Sequence, residues 1–180
     1  MTIVSLIPTK IILFLILLVA ALFASSILRA QIETRLGDVV EATEVFPDMT
    51  FFAAGDLTVN TKSSDDTFAV CGDVTLSEAQ ADHMIVADGD IIVTKVAFHD
   101  LIAVGGDINF VSVTVTDDVV SAGGDFDLKP EFNVGGSAVL TGGDVDINTP
   151  IGDELRATAG RLRLYANVAG DAQTKSDIDA

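Results

Sequence analysis

The chain has 180 residues, with ten Lys or Arg against 27 Asp or Glu and a net charge of −17. Lys10 and Arg29 precede every acid, so the part from Gln31 onward carries −19. Such a surface repels phosphate backbones and anionic lipid, which argues against nucleic-acid binding and leaves cations or basic partners; the single cysteine, Cys71, excludes an intrachain disulfide.

The first element is apolar. Ile11 to Ala24 reads IILFLILLVAALFA, preceded by Lys10 and followed by Ser25-Ser26. A basic start, a short apolar run and small residues at a cleavage site make residues 1–30 a secretory signal peptide, with Ala24 at −3 if cleavage follows Ser26. The alternative is an uncleaved membrane anchor over residues 11–28, the minimum length for a span. Either reading places the acidic domain outside the cytoplasm, in the periplasm or outer envelope.

Residues 31–50 read as an N-terminal cap or a first rung. Residues 51–170 carry a repeat. Gly-Asp recurs at Gly37-Asp38, Gly55-Asp56, Gly72-Asp73, Gly89-Asp90, Gly106-Asp107, Gly124-Asp125 and Gly143-Asp144, spaced 18, 17, 17, 17, 18 and 19 residues apart. A fixed period of this kind is the mark of stacked units. After each Gly-Asp two apolar residues alternate with a more polar one, as in Val74-Thr75-Leu76 and Val145-Asp146-Ile147. That period of two predicts a strand with one buried face. A second apolar patch falls mid-rung at Val96/Phe98, Val113/Val115 and Phe132/Val134, and a third strand leads into the next Gly-Asp. The pattern predicts an all-β, single-stranded parallel β-helix of about seven rungs, each 17–19 residues long, with glycine at corners that need positive φ or a close backbone approach. Residues 171–180 read as a polar tail.

Units such as Asp100-Leu-Ile-Ala-Val-Gly-Gly-Asp-Ile-Asn-Phe110 and Asp118-Val-Val-Ser-Ala-Gly-Gly-Asp-Phe-Asp-Leu128 resemble the repeated unit of the bactofilin-like, polymer-forming β-helix proteins. The resemblance covers roughly residues 37–170. It implies end-to-end polymerisation and a scaffolding role; bactofilins proper are typically cytoplasmic, whereas this chain carries a signal-like segment. A second resemblance, to hexapeptide-repeat acyltransferases, would make His83 or His99 catalytic. The strict six-residue sub-period and an acyl-donor loop are missing, and no catalytic residue or cofactor is assigned.

Three constellations stand out. The Asp after each Gly forms a column, and Asp73, Asp90, Asp107 and Asp125 are the candidate ligands if such a column binds Ca²⁺; the plainer reading is that each carboxylate caps its own corner. A second acidic corner lies six and seven residues before each Gly-Asp. It contains His83 and His99, read first as surface histidines and otherwise as metal ligands or a pH switch; their spacing of 16 does not require them to stack. The third strand is apolar at consecutive positions, so one set of side chains must face outward. With Leu101 and Ala103 inside, Phe68, Ile85, Ile102, Val120 and Val139 form an exposed apolar stripe, the mark of a contact surface.

The function expected from these features is non-enzymatic: a structural or scaffolding protein of the bacterial cell envelope that self-associates through the solenoid ends or the apolar face, with an envelope protein as a possible further partner. The alternative is a secreted, cation-dependent binding or adhesin-like module.

Overall fold

The computed structural model describes residues 33–176, apart from residues 47, 61, 63 and 64. The expected signal or anchor segment lies outside the described residues. From Glu33–Ala42 to Ala172–Ser176, thirteen strands join in one sheet in which every pairing is parallel, and the chain coils through about eight turns. It is a parallel β-solenoid.

Register shows how the coil repeats. Glu33, Thr50, Thr67, Met84, Leu101, Val119, Ala138, Leu155 and Ala172 stack in succession. Their spacing is 17 residues except at the two longer turns that end at Val119 and Ala138. The solenoid therefore exceeds the seven rungs expected from Gly-Asp. It starts within the presumed cap and continues into the polar tail, where Ala172–Ser176 pairs with Leu155–Ala159.

Alternation along each strand sorts side chains inward and outward. After the Gly-Asp corner, Leu57, Val74, Ile91, Ile108, Phe126 and Val145 point inward, and two residues later Val59, Leu76, Val93, Phe110, Leu128 and Ile147 do the same. The mid-turn patch is buried too, including Val96, Phe98, Val113, Val115, Phe132 and Val134. The Phe110 and Phe132 rings meet edge to face at 5.0 Å. Each such side chain contributes about 1.5–3 kcal/mol on burial, which is how a chain with one free thiol and no disulfide holds together.

Two expectations about the corners change. Val39, not Asp38, lies against Asp56, so Gly37-Asp38 stands one place out of register and the aspartate column begins at Asp56. Nor do the described glycines adopt positive φ. They are needed for close approach: the Gly72 N–H donates to Gly55 O at 2.7 Å, and a Cβ on Gly72 would lie 2.7 Å from that oxygen. Positive φ falls instead on Glu78, Lys95 and Ser112, one above another at a different corner.

The two ends differ. At the first turn Arg35 occupies the position of core residue Phe52. Its guanidinium lies 5.6 Å over the Phe46 ring and 3.3 Å from Glu44, while Phe46 packs edge to face on Phe52 at 5.7 Å. These groups cover the core. At the last turn no described strand follows Arg161–Leu164, and Leu164 and Tyr165 are 39% and 68% exposed.

Candidate functional site

The aspartate column is an inter-turn ladder. Asp73 Oδ1 accepts the Asp90 N–H at 3.4 Å, Asp90 Oδ1 accepts the Asp107 N–H at 3.2 Å, and Asp125 Oδ1 accepts the Asp144 N–H at 2.9 Å. Each of these carboxylates therefore caps the corner of the next turn, not its own. At the far end the column changes sign: Arg161 ion-pairs with Asp144, and Arg163 Nε lies 2.5 Å from Asp146. The paired carboxylate holds the Arg163 guanidinium above its usual range. Among the described residues, no grouping of three metal-ligand side chains includes Asp73, Asp90, Asp107 or Asp125.

Such groupings occur at the other acidic corner, where two columns run side by side. One carries Asp65, Asp82, His99 and Asp117; the other carries Asp66, His83, Asp100 and Asp118. The 17-residue turn puts a carboxylate on both sides of each histidine. His83 Nδ1 lies 2.6 Å from Asp66 Oδ1 and 3.7 Å from Asp82 Oδ2, and its Nε2 is 3.1 Å from Asp100 Oδ2. His99 Nε2 lies 3.7 Å from Asp117 Oδ2, and its Nδ1 is 3.1 Å from Thr116 Oγ1. The two rings stand edge to face with centroids 5.8 Å apart. The hydrogen bond to Asp66 raises the His83 pKa, and burial opposes it. The histidines border a shallow groove lined also by Gln80, Asp82, Phe98 and Thr116. This pairing of histidines was legible only by writing the columns side by side, because their separation of 16 puts them on the diagonal.

On the third strand, alternation sends Leu101, Ala103, Val119 and Leu140 inward and Ile102, Val120 and Val139 outward. Those three are 37%, 38% and 41% exposed. Phe68 and Ile85 continue the same row and are half-buried.

No protein-family model matches the chain, and no curated protein or solved structure matches it either.

Proposed function

We propose that this chain is a non-enzymatic, self-associating structural protein of the bacterial cell envelope, of the bactofilin-like, polymer-forming kind, exported by residues 1–30. The observation that carries the reading is the exposure of Leu164. Its counterparts Val59, Leu76, Val93, Phe110, Leu128 and Ile147 are all buried under a following turn, and Leu164 is not. An apolar core cross-section beside an unpaired strand edge favours continuation by another chain. The occupant proposed is a second copy, whose last turn presents the same unfinished edge. The row Ile85–Ile102–Val120 offers a second, lateral contact.

Sedimentation velocity and negative-stain microscopy of the full-length chain test this. The wild type is expected to form assemblies, Leu164→Lys to shift them toward the monomer, and the triple change Ile85→Lys, Ile102→Lys, Val120→Lys to reduce lateral association. Each variant is checked for retained β circular dichroism. A wild type that stays monomeric at tens of micromolar, or assemblies indifferent to both changes, overturns the proposal.

A further inference from the structure

The His83–His99 corner contains more order than a solvated turn requires. Asp66, Asp82 and His83 each offer a ligand atom within 4.8 Å of the others, and His99, Asp100 and Asp117 do the same one turn further on. We infer that this corner binds divalent transition-metal ions in two sites, each built from one imidazole and two carboxylates.

Three arguments converge. The first is ligand type. Imidazole suits zinc, copper and nickel, whereas calcium takes six to eight oxygens. Each set supplies two negative charges and one neutral imidazole, which a divalent ion neutralises in a region of strongly negative potential. The second is orientation. A metal-bound histidine ordinarily fixes its ring by a hydrogen bond from the nitrogen that does not bind metal. His83 Nε2–H donates to Asp100, leaving Nδ1 facing Asp66 and Asp82. In the neighbouring set Nδ1 is held by Thr116, leaving Nε2 facing Asp117. The two rings thus use opposite nitrogens, and each has its orienting partner in place.

The third is reach. Ligands at roughly 2.0–2.2 Å from a tetrahedral ion lie about 3.4 Å from one another. The His83 contacts of 2.6 and 3.7 Å and the His99 contact of 3.7 Å bracket that value. Small rotations of half-exposed side chains close the sites, while the backbone is fixed by the turns above and below. Three protein ligands leave a coordination position open toward the groove for water or an exogenous ligand. Asp100 contributes to both sets, orienting His83 in one and standing among the ligands of the other. This inference does not depend on self-association.

The test is Zn²⁺ binding to the chelator-stripped full-length chain, by titration calorimetry and by metal content after gel filtration. The wild type is expected to hold two ions, His83→Ala one, His99→Ala one, and the double variant none. Thr116→Val, which leaves every ligand intact, should weaken one site by roughly 10- to 100-fold. Asp107→Asn, in the other column, should change nothing. Circular dichroism of each metal-free variant confirms the fold. Undiminished Zn²⁺ in the double variant means adventitious binding to surface carboxylates and overturns the inference. So does the absence of binding to the wild type, a single ion lost in either single variant, or complete displacement by equimolar Ca²⁺.

Discussion

Asp88 stands directly above Cys71 and below Gly105, in a corner column whose other members are Ala54, Gly123, Gly142 and Ala159. It is the charged residue in a row of small ones. Its Oδ1 accepts the Gly89 N–H at 2.5 Å, but Oδ2 is buried without a hydrogen-bond partner. Burial raises the Asp88 pKa, and the Asp73, Asp90 and Asp56 charges add to the rise. Burial likewise raises the pKa of the Cys71 thiol beneath it, with the charge of Asp88 adding to the rise.

The sign of the resulting pH dependence follows. Below the ordinary value of 3.8 the side chain is neutral in both states and its contribution to stability is complete. As pH rises through the higher folded value, ionisation favours the unfolded chain and that contribution is lost. Asp88→Asn keeps the acceptor for Gly89 and cannot ionise. Urea melts should show the variant ahead of the wild type by about 1 kcal/mol at pH 7, with the gap shrinking toward pH 4. A wild type that is the more stable at pH 7 would refute this account.

Ser121 takes a core position shared with Phe52, Ala69, Val86, Ala103, Leu140 and Ala157. It is 1% exposed, and its Oγ has no hydrogen-bond partner. A buried hydroxyl without a partner costs about 1–3 kcal/mol. Ser121→Ala fits the space already taken by Ala103 one turn earlier. It should raise the midpoint of thermal unfolding, and a lowered midpoint would mean that the hydroxyl is satisfied in solution.

The corner at Glu78, Lys95 and Ser112 holds φ values of 53°, 52° and 55°. Non-glycine residues there cost roughly 1–2 kcal/mol each, part of which glycine would return as unfolded-state entropy. Lys95→Gly should therefore stabilise by about 0.5 kcal/mol net. It also loses the exposed 3.8 Å pair with Glu78, which is worth little. Lys95→Val, β-branched at positive φ, should destabilise. Equal melting temperatures for the two variants would remove the strain argument.

How far the fold was legible depended on which residues carry a signal. Gly-Asp is conspicuous, because glycine serves close inter-turn contacts and the aspartate supplies the acceptor; the period and the buried face followed from it. Lys95 and Ser112 look like ordinary surface residues, so the positive-φ corner left no trace in the sequence. Gly37-Asp38 misled by one place, because the first turn is 17 residues long, as Glu33 against Thr50 shows. The strand Ala172–Ser176 was hidden because none of its side chains is buried, leaving no apolar alternation to read. The His83–His99 corner lay between these cases: its residues were visible, but their adjacency needed the register.

The aspartate ladder sets two effects against each other, and Asp90 separates them. Its carboxylate accepts the Asp107 N–H, a bond worth about 0.5–1.5 kcal/mol. It also stands ~5 Å from the aspartates of the turns on either side, which repel it. Asp90→Asn keeps the acceptor and removes the repulsion; Asp90→Ala removes both. The Asn variant should exceed the wild type at low salt and converge on it in 1 M salt, where the screening length falls to about 3 Å. The Ala variant should lie below the Asn variant by about 1 kcal/mol at either salt concentration. If Ala matches Asn throughout, the ladder is a by-product of stacking and the corner is held by the backbone bonds between the glycines alone.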